Sequence, residues 1–131
     1  MMPTRKRILI ADCHEDVLII LEKLLEDAGF DTTTVSTAKE ALKLADSQAF
    51  DLALVNEYVP DADGEDVLKV LQKRDRQIPC IVMHPSAPKF IDFTRFEALG
   101  AKDIVCKHCF RQIVEIVREC LLCDRKRIAA A

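Results

Sequence analysis

Two polar side chains stand where continuously apolar segments end, and their chemistry decides what a site there can do. Residues 8–11 are followed by Asp12, and residues 52–55 are followed by Asn56. Such runs predict strands buried on both faces of a parallel sheet, whose carboxyl ends share one edge and bind ligands. A carboxylate at Asp12 is able to bind a cation, whereas the amide of Asn56 is neutral and a poor nucleophile. The sequence therefore predicts a polar cleft without a covalent acceptor at Asn56.

Five strand-like segments alternate with five amphipathic segments along the chain. Strands are predicted at residues 7–12, 32–35, 51–56, 79–83 and 101–106, and helices at 15–28, 37–48, 63–74, 89–99 and 110–123. Gly29 and Gly100 are natural ends for the first and fourth helices, and Thr37 with Glu40 forms a capping box. This alternation predicts an α/β fold with a parallel sheet, helices on both of its faces and right-handed crossovers.

Length and composition favour one domain. The chain has 131 residues, half of them hydrophobic, and a formal net charge of −3. We expect a single domain over residues 1–131, with a core at about 6–123 and a charged tail at 124–131. No apolar run approaches the roughly 18 residues of a membrane span, so a cytoplasmic protein is expected. The charge argues against nucleic-acid binding, and the basic residues at 5–7 and 125–127 are expected to be solvated ends.

The order of these residues resembles the receiver domain of bacterial response regulators over nearly the whole chain. The resemblance rests on the strand ending at Asp12, on Asn56 with Pro60 and Gly64 after it, and on residues 100–103 leading to Lys107. It implies the flavodoxin-like receiver fold, a doubly wound sheet of strand order 2-1-3-4-5. It also implies a role in two-component phosphorelay signalling, with no enzymatic turnover.

The resemblance also assigns roles to positions, and most of those positions carry changed residues. Asp12 and Cys13 stand for two metal-binding acids, Asn56 for the phosphate-accepting aspartate, His84 for a hydroxyl-bearing switch residue, Ile104 for an aromatic switch residue, His108 for a cis-proline and Lys107 for the family's lysine. One carboxylate in place of three predicts weak or absent Mg²⁺ binding and no other cofactor. Lys107 is expected to pair with Asp12. The resulting hypothesis is an atypical receiver that acts through protein contact, without phosphorylation of an aspartate.

Six of the nine cysteines and histidines follow predicted strand ends and gather at one rim. They are Cys13, His14, His84, Cys106, His108 and Cys109. Such ligands suit transition metals, so the alternative hypothesis is a metal- or thiol-redox-sensing module that uses Cys13, His84, Cys106, His108 and Cys109. A plainer interpretation makes Cys13 and Cys106 small space-filling residues. A shared zinc site of Cys106, Cys109, Cys120 and Cys123 is disfavoured, because a continuous last helix separates Cys109 from Cys120 by about 15 Å.

The fourth predicted helix carries phenylalanines at every third position: Phe90, Phe93 and Phe96. The resemblance implies that the face of the fourth helix, fifth strand and fifth helix binds a protein partner or forms a homodimer. The alternative is that these phenylalanines cover the sheet. A third possibility is that the chain was excised from a larger protein that carries an output domain.

Overall fold

Seven strands and five helices follow one another in a computed structural model that describes residues 5–73 and 77–122. The strands are β1 (Arg7–Ala11), β2 (Asp31–Val35), β3 (Leu52–Asn56), β4 (Tyr58–Val59), β5 (Ala62–Asp63), β6 (Cys80–His84) and β7 (Asp103–Cys106). The helices are α1 (Glu15–Asp27), α2 (Ala38–Ser47), α3 (Gly64–Gln72), α4 (Phe90–Ala98) and α5 (Phe110–Leu122).

The main sheet has five parallel strands in the order β2-β1-β3-β6-β7. This order confirms the prediction 2-1-3-4-5, since β6 and β7 are the predicted fourth and fifth strands. Strands β4 and β5 form a separate antiparallel hairpin that the sequence analysis did not predict. The carboxyl ends of β1, β3, β6 and β7 lie side by side and bring their following residues to one edge of the sheet.

The sheet is buried on both faces because successive strand residues point to opposite sides. Leu9 and Ala11 belong to the core cluster that includes residues of α2, α3 and α4. Ile8 and Ile10 belong to the opposite cluster, which includes residues of α1 and α5. The continuously apolar strand segments are thus explained by two core layers. No helix within residues 5–73 and 77–122 has the length and apolar character needed to cross a membrane.

Local signals set the helix ends close to where they were predicted. Gly29 and Gly100 adopt φ values of 103° and 97° after α1 and α4, a region that disfavours residues with a Cβ. The side chain of Thr37 accepts a hydrogen bond from the N–H of Glu40 at the start of α2. The predicted third and fifth helices extended to Arg74 and Cys123, and both of these residues, like the tail at 124–131, lie outside the described residues.

Candidate functional site

The centre of the polar edge is an ion pair between Asp12 and Lys107. Asp12 follows β1 and Lys107 follows β7, and the Lys107 Nζ lies 3.0 Å from each carboxylate oxygen. Both side chains are almost completely buried. A buried charge is costly without a partner, so each of these two groups depends on the other. The pair expected from the resemblance is therefore present.

Asn56 is held by its amide nitrogen. The Nδ2 donates to the carbonyl oxygen of Tyr58 at 2.7 Å and lies 3.4 Å from the Oδ1 of Asp12. Both partners are acceptors only, so the amide must turn its NH₂ group toward them. Asn56 is buried at the end of β3 and acts as a hydrogen-bond donor between two oxygen atoms.

His14 and Cys13 extend the polar edge beyond Asp12. The His14 Nδ1 lies 3.1 Å from the Asp12 Oδ1, 2.8 Å from the Lys107 Nζ and 3.5 Å from the Cys13 Sγ. The backbone N–H of His14 also donates to the Asp12 Oδ1 at 2.9 Å. The Asp12 Oδ2, in contrast, accepts no hydrogen bond from any described residue, although the Lys107 ammonium lies beside it. The sequence analysis placed His14 on the rim but did not predict its contact with Asp12.

His84 is tied to Glu57 and to α4. Its Nε2 lies 3.0 Å from the Glu57 Oε2 and 3.6 Å from the Asp92 Oδ2. A carboxylate only accepts, so the Nε2 carries the proton that is donated to Glu57, and the Nδ1 lies 3.2 Å from the Ser86 nitrogen and 3.1 Å from its carbonyl oxygen. His84 therefore connects the ends of β3 and β6 with α4. No sequence signal identified this contact, because nothing in the residue types specifies which of several carboxylates meets His84.

Arg95 adds a second contact between α4 and the end of β3. Its guanidinium lies 3.8 Å from the Glu57 Oε1 and forms an ion pair with Glu65 at the start of α3. The buried carboxylate of Glu57 thus lies between His84 and Arg95. It does not join Asp12 as an additional acid in the cleft.

Gly64 is required by a close backbone approach at the same place. Its N–H donates to the carbonyl oxygen of Glu57, and a Cβ on Gly64 would lie 2.8 Å from the carbonyl oxygen of Asn56. Only a glycine fits between α3 and the end of β3 without a shift of the backbone. This contact explains why a glycine stands at position 64.

The Cys and His residues of the rim separate into four groups, so the predicted single soft-metal site is not assembled. His84 contacts Glu57, Cys106 and Cys109 contact each other, and the His108 ring packs edge-on against Phe110. Among the residues that the structure describes, ligand atoms converge in one group only, Asp12 with Cys13 and His14. The rim Cys and His residues, which the topology placed on one edge, therefore have different contact partners.

The pKa of the Cys109 thiol, just before the start of α5, is raised. A side-chain hydrogen bond with Cys106 is the main cause that raises the pKa of Cys109, with smaller contributions from burial and from the charge of Cys106. The backbone brings the two residues together, because the N–H of Cys109 donates to the carbonyl oxygen of Cys106 at 3.0 Å. The peptide bond before His108 is trans.

The three phenylalanines of α4 have three different environments. Phe96 is completely buried, Phe93 packs against the same core cluster at partial burial, and Phe90 is 84% exposed. The prediction of an interaction surface was therefore wrong for Phe96, whose ring is core. Ile91 is also exposed and lies next to Phe90. Ile104 is buried in β7, so this position presents no side chain at the surface.

Comparisons with known proteins agree with this architecture. The sequence profile of the family described as "Response regulator receiver domain" matches residues 8–118. The alkaline phosphatase synthesis transcriptional regulatory protein PhoP of Bacillus subtilis is 32% identical over 102 residues, which cover 78% of this chain and 42% of that protein. The response regulator protein PilR of Pseudomonas aeruginosa is 34% identical over 106 residues, which cover 79% of this chain and 23% of that protein. This chain thus corresponds to less than half the length of either relative.

A similar solved structure is the response regulator receiver domain protein (CheY-like) from Methanospirillum hungatei JF-1. It superposes with a TM-score of 0.82 at 26% sequence identity, and the superposition covers 90% of this chain and 94% of that one.

Proposed function

This chain belongs to the response regulator receiver domain family, and we propose that it is an atypical member that signals by protein contact without phosphorylation of an aspartate. The observation that carries the proposal is Asn56 at the end of β3, where its amide donates to Tyr58 and lies beside Asp12. An amide oxygen does not attack a phosphoryl group as a carboxylate does, and the Asn56 nitrogen is already committed to two oxygen atoms.

The charge balance of the cleft supports the proposal that Mg²⁺ binds weakly there. The carboxylate of Asp12 is matched by the ammonium of Lys107 at 3.0 Å, and Asn56 is neutral. Mg²⁺ is a hard cation that is bound mainly through carboxylates and phosphates. A cleft with one carboxylate, already paired with a cation, leaves little negative charge to hold it. We therefore propose that the domain works without a Mg²⁺ cofactor.

The contacts of His84 support the proposal that the family's switch positions stay in one conformation in this chain. The family position of a small hydroxyl residue carries an imidazole that binds Glu57 and approaches Asp92. Ile104, at the aromatic switch position, is buried and has no polar atom that responds to a new charge. We propose that this end of the sheet transmits no phosphorylation signal and that the surface presented to partners is constant.

The face formed by α4, β7 and α5 is the proposed contact surface. Phe90 and Ile91 place two exposed apolar side chains at the start of α4, which supports protein binding or homodimer formation there. We also propose that this domain contacts neither nucleic acid nor a membrane and has no catalytic activity of its own. Its proposed location is the cytoplasm. Because the chain corresponds to only part of PhoP and PilR in length, an attached output domain remains part of the proposal.

Incubation with a small-molecule phosphodonor and Mg²⁺ tests the proposal directly. The wild-type chain is expected to take up no phosphate, as measured by intact mass and by base-labile phosphate. The matched control is the double variant Cys13→Asp, Asn56→Asp, which returns three carboxylates to the cleft and is expected to gain Mg²⁺ binding. Stoichiometric, acid-stable and base-labile phosphate on the wild-type chain would contradict the proposal.

A further inference from the structure

Three adjacent residues at the end of β1 present three different metal-ligand chemistries to one point. Asp12 offers a carboxylate oxygen, Cys13 a thiol sulfur and His14 an imidazole nitrogen, and these atoms all lie within 4.8 Å of one another. Oxygen, nitrogen and sulfur donors together suit Zn²⁺ and related transition metals, whereas Mg²⁺ is held by oxygen atoms alone. The set is therefore chemically distinct from a magnesium site.

Two of the three separations between these atoms are close to the edges of a coordination tetrahedron. A Zn²⁺ ion with ordinary bond lengths to sulfur, nitrogen and oxygen separates its ligand atoms by about 3.3–3.6 Å. The His14 Nδ1 lies 3.5 Å from the Cys13 Sγ and 3.1 Å from the Asp12 Oδ1. The third separation, between the Cys13 Sγ and the Asp12 oxygen, is no more than 4.8 Å, so side-chain rotation is what brings the three atoms to one ion.

The cluster already surrounds a cation. The Lys107 ammonium lies 2.8 Å from the His14 Nδ1 and 3.0 Å from the Asp12 carboxylate oxygens. An ammonium group only donates, so the His14 Nδ1 faces it with a lone pair. A lone pair and a carboxylate oxygen 3.1 Å apart repel each other unless a cation lies beside both. Lys107 supplies that cation here. A divalent metal ion would offset the repulsion more strongly than the ammonium does.

Asp12 is on the buried side of this three-residue cluster, whereas Cys13 and His14 are on its exposed side. The Asp12 Oδ2 is buried and lies 3.0 Å from the Lys107 Nζ, so it keeps the ammonium as a partner when the Oδ1 binds an ion. Cys13 and His14 are exposed, and Cys13 borders a groove of about 450 Å³ whose walls include Glu15, Glu22 and Glu40. This groove gives a cation an open, negatively charged approach to the side of the cluster where Cys13 lies.

We propose that Asp12, Cys13 and His14 form a binding site for one Zn²⁺ ion, with the fourth position open to water or to a partner's side chain. On binding, the Cys13 thiol releases its proton to solvent, and the carboxylate and thiolate together balance the charge of the ion. The ion lies beside the His14 Nδ1, and the Lys107 ammonium keeps its ion pair with the Asp12 Oδ2. The inference does not depend on Asn56, so the site stands whether or not the domain accepts phosphate.

Metal titration of the full chain tests the site. The metal-free protein, reduced with a phosphine, is titrated with Zn²⁺ against a chromophoric chelator. One ion per chain is expected, with a dissociation constant of about 1 μM or tighter. Co²⁺ in place of Zn²⁺ is expected to give the near-ultraviolet sulfur-to-metal absorption of a thiolate ligand. The variants Cys13→Ser and His14→Ala are each expected to weaken Zn²⁺ binding by at least about tenfold, and Cys13→Ser abolishes the Co²⁺ band.

Matched controls are available on the same rim. Cys109→Ser and His108→Ala change equally exposed residues and are expected to leave Zn²⁺ affinity within about twofold of wild type. Because Cys13 and His14 are exposed, their variants should keep the wild-type fold, which circular dichroism checks. Three outcomes overturn the proposal: no stoichiometric Zn²⁺ binding, binding that survives in both Cys13→Ser and His14→Ala, or binding lost through Cys109→Ser or His108→Ala instead.

Discussion

Lys107 and Asp12 lie 95 positions apart in the chain and meet as a buried ion pair at the edge of the sheet. Removing the lysine leaves a carboxylate in the interior with no cation. The variant Lys107→Met is therefore expected to lower the free energy of unfolding by about 3–5 kcal/mol. Denaturant unfolding, followed by circular dichroism, measures the loss.

The exposed pair of Lys23 and Asp27 is a matched control. Its atoms lie 3.3 Å apart on α1, but both side chains are mostly exposed. The variant Lys23→Met is expected to change the free energy of unfolding by no more than about 0.5 kcal/mol. Equal losses for Lys107→Met and Lys23→Met would mean that Asp12 does not depend on its cation.

The contact between His84 and Glu57 is expected to stabilise the end of β3. The variant His84→Phe removes the donor that lies 3.0 Å from a buried carboxylate oxygen. It should lower the free energy of unfolding by about 1–3 kcal/mol, because among the described residues the Glu57 carboxylate then keeps the more distant Arg95 as its cation. In the double variant with Glu57→Gln, part of this loss should be recovered. If the losses of the two single variants simply add, the two residues do not interact.

The sheet was predictable because each strand has its own apolar segment and each helix its own apolar face. The strand order and the meeting of Asp12 with Lys107 followed from the resemblance, together with the rule that parallel strands end at one edge. The hairpin of β4 and β5 was missed because strands of two residues leave no periodic pattern. Its turn places the carboxylate of Asp61 against the first N–H groups of α2.

The partners of side chains were less predictable than the positions of strands. Residues three apart on a helix differ by about 300° in direction, so Phe90 and Phe96 point about 240° apart. The spacing alone therefore did not tell which ring is buried. The contacts of the rim histidines were equally hard to predict. His14 and His84 both lie at strand ends but contact different carboxylates.

Phe96 and Phe90 are expected to differ sharply in their effect on stability. Phe96→Ala opens a cavity in the core beneath α4 and should lower the free energy of unfolding by about 3–5 kcal/mol. Phe90→Ala should change it by less than about 0.5 kcal/mol, because that ring is exposed. Thermal and denaturant unfolding of both variants provide the comparison. A large loss for Phe90→Ala would place that ring in the core as well.

Asp61 is expected to make the stability of α2 depend on pH. Its carboxylate accepts hydrogen bonds from the N–H groups of Ala38 at 2.8 Å and Lys39 at 3.0 Å, and these bonds lower the pKa of Asp61. A carboxyl with a lowered pKa in the folded state stabilises the fold above its unfolded pKa, and this stabilisation is lost as pH falls through the folded value.

The variant Asp61→Asn measures this effect. It should be less stable than wild type above about pH 4, and the difference should shrink as the pH is lowered further. Unfolding curves at a series of pH values give the comparison. A difference that stays constant down to the acid limit would show that the charge of Asp61 does not contribute.

A carboxylate at position 56 is expected to destabilise this cleft. In the variant Asn56→Asp, an acceptor replaces the donor that lies 2.7 Å from the Tyr58 carbonyl oxygen and 3.4 Å from the Asp12 carboxylate. At neutral pH the free energy of unfolding should fall by about 1–3 kcal/mol. Repulsion between the two carboxylates raises the folded-state pKa of one of them, so the folded protein binds more protons than the unfolded chain. The loss should therefore diminish as the pH is lowered.

Asn56→Leu separates charge from hydrogen bonding at the same position. This variant removes both donor contacts of Asn56 without adding a charge, so its loss of stability should not change with pH in the way expected for Asn56→Asp. Millimolar Mg²⁺ should restore stability to Asn56→Asp alone, because only that variant gains a second carboxylate for the ion to bind. Equal responses of the two variants to pH and Mg²⁺ would mean that the charge at this strand end does not control the cleft.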